Sequence, residues 1–119
     1  MAIIRSTLVL GALLLAGCSG TAGVGGGTSI TQQWLGRWNG PEGTYLDITG
    51  TPADYRLTIA NLDGPRRFVG RAQDGQIVFV RDGVVESIRA TDGEATGMKW
   101  LLDKHDCLTV RRGEGYCRD

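Results

Sequence analysis

Two cysteines and one histidine near the C-terminal end of this 119-residue chain are spaced so that they could perform nucleophilic or metal chemistry. Cys107 and Cys117 lie near the C-terminal end, and His105 precedes Cys107 by two positions. In a strand, this spacing places the histidine and the thiol on one face, as a histidine-activated thiolate requires. A metal site is disfavoured because the chain has no Cys-x-x-Cys pair and no second histidine. In an exported chain, an even pair of cysteines predicts a Cys107–Cys117 disulfide instead.

The first seventeen residues indicate that the chain is exported. Arg5 is their one charged residue, and a largely apolar run follows from about Leu8 to Ala16. A membrane-spanning helix needs about 20 apolar residues, so this run is too short to be one. A basic start, a short apolar stretch and small residues at its end predict a secretory signal peptide over residues 1–17.

The residues around Cys18 specify the kind of signal peptide. Leu15-Ala16-Gly17-Cys18 resembles the lipobox of bacterial lipoproteins at all four positions. The resemblance implies a diacylglycerol on the Cys18 thiol, cleavage before Cys18, and acylation (palmitate) of the new amino terminus. Several acyl chains anchor a protein firmly where one does not. The alternative is an ordinary cleavable signal followed by an incidental cysteine. Ser19, where an aspartate would favour the inner membrane, points to the outer membrane and a domain facing the periplasm.

The rest of the chain divides into a tether and one small domain. Residues 18–32 are rich in Gly, Ser and Thr, a composition that buries little apolar surface and predicts a flexible tether. Residues 33–119 have the size of one small domain. The whole chain has 13 basic and 13 acidic residues, and this balance gives no electrostatic footprint for nucleic acid.

Residues 33–119 read as an all-β domain. Segments such as "TYLDIT", "YRLTIANL" and "QIVFV" alternate or are β-branched, which is typical of strands. Four Asp-Gly pairs separate such segments and supply the positive φ of tight hairpins: Asp63-Gly64, Asp74-Gly75, Asp82-Gly83 and Asp92-Gly93. We therefore expect a small antiparallel meander of seven or eight strands that closes into a barrel or a strongly curved sheet.

Two further expectations concern the interior and one ambiguous segment. Residues 97–104 are compatible with one short helix, an irregular turn or another strand. The apolar residues of the predicted strands should form the core: Leu46, Ile48, Leu57, Ile59, Phe68, Ile77, Phe79, Ile88 and Leu108.

The tryptophan-rich start of the domain carries a resemblance to a known superfamily. Gly36-x-Trp38, just before the first strands, is similar to the Gly-x-Trp element that begins lipocalin-type barrels. The resemblance implies that Trp38 plugs the closed end of a barrel beneath an arginine from a late strand. Arg111, Arg112 and Arg118 are the candidates for that arginine, through a cation–π contact. The alternative is that Trp34 and Trp38 are simply core aromatics.

A second resemblance is to small periplasmic lysozyme inhibitors, some of which are lipid-anchored β-barrels with a disulfide. The similarity lies in size, anchor and disulfide. Tyr116-Cys117 lacks the spacer of their Tyr-x-Cys element, and Glu42-Gly43-Thr44-Tyr45 keeps only a glycine and a tyrosine of their loop motif.

These observations predict a binding protein and not an enzyme. Many carboxylates lie in Asp-Gly turns, and no convergent catalytic set, metal site or cofactor other than the lipid on Cys18 is apparent. The candidate binding residues are Trp38, Glu42 and Tyr45. The expected function is a membrane-anchored, non-catalytic binding module for an envelope protein, a lysozyme-type protein or a small ligand. The alternative is a structural or assembly lipoprotein of the cell envelope.

Overall fold

The computed structural model describes residues 29–119. The predicted signal peptide (1–17), Cys18 and most of the predicted tether lie outside these residues. No helix within the described part of the chain is long and apolar enough to cross a membrane.

The described residues form a closed antiparallel barrel of eight strands in sequence order. The strands are β1 (Gly36–Asn39), β2 (Tyr45–Thr51), β3 (Asp54–Asn61), β4 (Gly64–Gln73), β5 (Gln76–Arg81), β6 (Val84–Thr91), β7 (Cys107–Arg111) and β8 (Glu114–Cys117). Each strand pairs with the next, and β1 also pairs with β8. The all-β meander closing into a barrel is therefore confirmed.

Short 3-10 turns supply the remaining regular structure of residues 29–119: Ile30–Trp34, Pro41–Gly43, Glu94–Thr96 and Lys99–Leu101. The segment 97–104 thus contains a single 3-10 turn. The turn Ile30–Trp34 includes residues that the sequence assigned to the tether, and Thr31 in it is fully buried.

Two of the four Asp-Gly pairs form the expected tight hairpins. Asp74-Gly75 and Asp82-Gly83 each have positive φ at both positions, with 54° for the aspartates and 78° or 79° for the glycines. Their flanking residues pair directly across the two hairpins, as such turns require. At Asp63-Gly64 the turn lies one residue earlier in the chain than expected, because Gly64 already pairs with Asn61 as the first residue of β4.

Asp92-Gly93 departs from the expected turn, since Gly93 has a φ of −70°. This pair begins the long connection between β6 and β7. The Asp92 carboxylate accepts a hydrogen bond from the Ala95 backbone N–H at 2.9 Å. A side chain at position 93 would overlap the carbonyl oxygen of Leu101. Glycine is therefore required here by close chain crossing and not by backbone conformation.

The barrel interior is filled by the inward face of each strand. Of the predicted core residues, all are buried except Phe68, which is partly buried and packs against the same cluster. Its ring centroid lies 5.3 Å from that of Phe79. Gly70 also faces the interior, where a Cβ would lie 2.9 Å from Ile77 Cγ2 and 3.1 Å from Leu57 Cδ1. The packing therefore leaves no room for even one more methyl group at this point.

A second, smaller core lies outside the barrel, where the connection between β6 and β7 covers the last strands. Met98 and Leu101 pack there against Cys107 and Cys117. The two cysteines are directly paired across β7 and β8 and form a disulfide, with an Sγ–Sγ distance of 2.03 Å. The predicted Cys107–Cys117 bridge is thus present in the structure.

Candidate functional site: a barrel sealed at both ends and its outer surface

One end of the barrel is plugged by Trp38 and an arginine. The guanidinium carbon of Arg118 lies 3.9 Å from the centroid of the Trp38 ring, which is 2% exposed. Arg118 Nη1 donates to the Gln33 carbonyl oxygen at 2.9 Å, and Nη2 donates to that of Leu35. Of the three arginines considered from the sequence, Arg118 therefore stacks on Trp38.

The 3-10 turn Ile30–Trp34 forms the lid of this closed end. Trp38 Nε1 donates a hydrogen bond to the Trp34 carbonyl oxygen at 2.8 Å. The Thr31 hydroxyl shares a buried 2.8 Å hydrogen bond with the Tyr55 hydroxyl at the start of β3. The Trp38 indole N–H and the Thr31 hydroxyl, both buried, thus each have a hydrogen-bond partner, which stabilises the plug.

The opposite end is closed by an ionic cluster under the turns of the β5–β6 and β7–β8 hairpins. Arg81 donates to Glu86 Oε2 at 2.9 and 3.2 Å and to both Glu114 oxygens at 2.7 Å. Arg111 also donates to Glu86, whose side chain is 7% exposed. Hydrogen bonding to Glu114 raises the pKa of Arg81, while burial raises that of Tyr116 beside it. The cluster therefore carries charged arginine and neutral tyrosine at neutral pH.

This cluster fits a structural seal better than a catalytic pair. Oxygens of both carboxylates are engaged by guanidinium groups of the same cluster, as in a structural ion-pair network. Removing one partner of such a cluster would leave a buried charge uncompensated. Its geometry therefore closes the barrel mouth over Phe68 and Phe79.

Because Cys107 and Cys117 form a disulfide, their sulfurs are not available for the nucleophilic or metal chemistry considered from the sequence. The sulfurs of Cys107 and Cys117 and a carboxylate oxygen of Asp119 lie within 4.8 Å of one another. Disulfide sulfurs are not thiolates, however, and thiolates are what bind metals and attack substrates. The Asp119 carboxylate accepts the backbone N–H groups of His105 and Asp106, and these hydrogen bonds lower its pKa.

The three candidate binding residues do not converge on one site. Trp38 points into the barrel. Tyr45 lies on the outside of β2, with the guanidinium carbon of Arg37 3.7 Å from its ring centroid. Glu42 is exposed in the connection between β1 and β2, with a left-handed φ of 58°.

Exposed valines form an apolar patch on the outside of the barrel that the sequence analysis missed. Val80 pairs with Val85, and Val69 lies one position beyond the last β4–β5 pair, beside Val80. Their exposed fractions are 62% for Val69, 58% for Val80 and 69% for Val85. With Val78 they line an open recess of about 630 Å³. The signal lay in "QIVFV", where apolar residues occupy both faces of β5.

Three arginines border these valines. Arg56 pairs with Val69 across β3 and β4, and Arg67 and Arg71 lie on the same face of β4, two positions to either side of Val69. Arg56, Arg67 and Val69 line a second open recess of about 430 Å³. We call these four valines and three arginines the valine face.

A second exposed apolar feature lies on the other side of the barrel. Trp100 is 70% exposed and lies beside Pro41 and Glu42. It also borders a recess with Asn39 and Cys117, the pair that joins β1 to β8. In the strand order this seam lies opposite β5. We call Pro41, Glu42 and Trp100 the tryptophan surface.

Comparisons with known proteins assign neither a family nor a function. No protein-family model matches the chain, and neither a curated protein sequence nor a solved structure matches it significantly.

Proposed function

We propose that the protein is a lipid-anchored, non-catalytic binding module of a bacterial envelope. In this proposal, Cys18 carries the lipid, the anchor lies in the outer membrane, and the barrel faces the periplasm and engages a protein partner. The observation that carries the binding role is a barrel that is filled and sealed at both ends while large apolar side chains remain exposed outside it.

The packing of the interior favours a protein partner over a small ligand. A binding cavity for a drug-sized molecule has a volume of roughly 300–1,000 Å³ and encloses most of its ligand. Here Gly70 is packed against Ile77 and Leu57, and the recesses lined by the valine face are open to solvent. Exposed valines and a mostly exposed tryptophan are instead the features expected of a protein-binding surface.

A structural or assembly lipoprotein of the envelope is the alternative function. The same exposed apolar residues would suit a permanent neighbour in a larger assembly. A lysozyme-type partner would bind most simply at the tryptophan surface, where Glu42 lies beside Trp100. The lifetime of the complex distinguishes a binding module from an assembly subunit. An assembly subunit should form a long-lived complex and copurify with its neighbour in equal amounts.

Two measurements on the protein in its own envelope test the proposal. Native mass spectrometry should show a chain that lacks residues 1–17 and carries acyl groups, with no bound small molecule. A photo-crosslinking amino acid at Val80 or Trp100 should yield a protein adduct, whereas one at the exposed Glu94 should not. A stoichiometric small ligand, a chain without acyl groups, or the absence of adducts at both positions would refute the proposed function.

A further inference from the structure

We infer that the valine face binds an acidic protein surface, in which an apolar strip is bordered by carboxylates. This inference rests on the proposed function and deepens it, because it assigns the binding surface and the chemistry of the partner.

The apolar part of the inference rests on where the valines lie. Val69, Val80 and Val85 stand side by side on three successive strands, and each is more than half exposed. Such a row on a sheet gives a flat apolar strip that gains free energy when a partner covers it. The opposite faces of these strands form the barrel core, and the exposure of the three valines shows that no segment of residues 29–119 covers the row.

The charged part rests on arginines without strong carboxylate partners. Arg67 has no carboxylate partner within the described chain, and Arg71 donates only to Gln73 Oε1, at 3.0 Å. Arg56 contacts Asp54, two residues away, at 3.3 Å between exposed side chains, a pair worth little in water. The valine face is thus locally positive, although the chain as a whole is balanced.

Nearby carboxylates do not neutralise this surface. Asp47 is held in a two-pronged ion pair by Arg37, at 2.8 and 2.9 Å. Asp82 is held in the same manner by Arg66, and these hydrogen bonds lower the pKa of Asp82. Arg67 and Arg71 are therefore available to carboxylates of a partner, which arginine binds in a planar, bidentate manner.

Charge also argues against a second copy of this chain as the occupant. A twofold dimer through the valine face would bring the three arginines of each copy into one interface. Like charges brought together across an interface strongly oppose association. An acidic partner turns the same charges into favourable pairs and also accelerates association.

A lipid surface fits this face less well than a protein does. Proteins that lie on membranes insert long aromatic and aliphatic side chains and place tryptophan at the headgroups. The exposed Trp100 lies at the β1–β8 seam, on the side of the barrel away from β5. If that side contacts lipid, the valine face points away from the membrane.

The test begins with photo-crosslinking in the native envelope, using the full chain with a crosslinker at Val80, at Trp100 or at Glu94. The inference expects an adduct at Val80 whose crosslinked peptide in the partner is rich in Asp and Glu. An adduct at Trp100 alone would overturn the inference while leaving the proposed function intact. A second copy of the chain or a phospholipid as the Val80 adduct would also overturn it.

Binding to the captured partner is then measured with purified proteins. The double variant R67E/R71E should weaken binding by roughly tenfold or more, and raising the salt concentration should weaken wild-type binding. The charge-matched control K99E/R112E, on exposed cations outside the valine face, should bind as the wild type does. Equal losses in both double variants, or no loss in R67E/R71E, would refute the inference. Thermal unfolding of each variant shows that the barrel remains folded.

Discussion

Replacing Arg118 by alanine should destabilise the closed end of the barrel far more than its exposed position suggests. The substitution removes the guanidinium from the Trp38 ring and both hydrogen bonds to the Gln33 and Leu35 carbonyl groups. Stacking at a partly exposed site contributes about 0.5–1 kcal/mol. Two hydrogen bonds from a charged donor contribute about 1 kcal/mol each after discounting for solvent. We therefore expect a loss of about 2–3 kcal/mol in the free energy of unfolding.

Urea unfolding followed by circular dichroism measures this loss. R118K should lie between the wild type and R118A, because lysine keeps a charge but not the planar fork. R112A is the control, since Arg112 is also an exposed arginine near the C-terminal end. Acrylamide should quench tryptophan fluorescence more strongly in R118A, as the lid at Trp34 loosens. If R118A and R112A agree within about 0.5 kcal/mol, the stacking has no role in stability and the reasoning is refuted.

Four further outcomes can be checked. Replacing Cys107 and Cys117 together by alanine should lower the unfolding free energy by about 2–3 kcal/mol, and thiol labelling of the denatured wild type should fail until a reductant is added. R81M should cost about 3–5 kcal/mol in urea unfolding, because buried carboxylates lose their main partner; a loss below 1 kcal/mol would show that the cluster is solvated. Burial raises the folded-state pKa of Tyr116. The stability that the neutral Tyr116 side chain contributes is therefore complete below the unfolded-state pKa of about 10 and is lost as the pH rises above that value. Y116F should lose less stability than the wild type on alkaline titration, and parallel stability curves for the two proteins would contradict this. G93A should lower the thermal midpoint by several degrees through its clash with the Leu101 backbone, and an unchanged midpoint would show that the connection simply shifts.

Much of the fold could be read from local sequence patterns. The hairpin at Asp82-Gly83 is set by neighbouring residues, and alternation along β2 and β3 identified their buried faces. Local patterns failed at Asp92-Gly93, where the glycine is required by a chain segment eight residues away. Local patterns do not predict contacts between distant segments, such as that of Arg118 with Trp38. Only the resemblance in Gly36-x-Trp38 suggested that an arginine packs on Trp38, and it did not decide among three candidate arginines.

The proposed binding surface was harder to predict than the fold. A run such as "QIVFV" looks like a fully buried strand, because composition does not show which face lacks a partner. The exposure of Val80 depends on the absence of a covering element over β5, which only the three-dimensional arrangement shows. Trp100 lies in residues 97–104, for which the sequence left a short helix, an irregular turn or another strand open, and none of these interpretations shows that its side chain is exposed. Glu42 was selected from its loop, and its position beside Trp100 follows from the β1–β8 seam.

The seam itself has a consequence for how the chain folds. Seven of the eight strand pairings join neighbours in sequence and can form early, six of them as hairpins and the β6–β7 pair across its longer connection. The eighth joins β1 to β8 through one residue pair, Asn39 with Cys117, and it requires the chain to close a loop of nearly the whole domain. We expect an open, curled sheet to precede the closed barrel during folding. Before Arg118 packs on Trp38, this intermediate would expose the edge of β1 and the face of Trp38, and it would be the species most prone to aggregate.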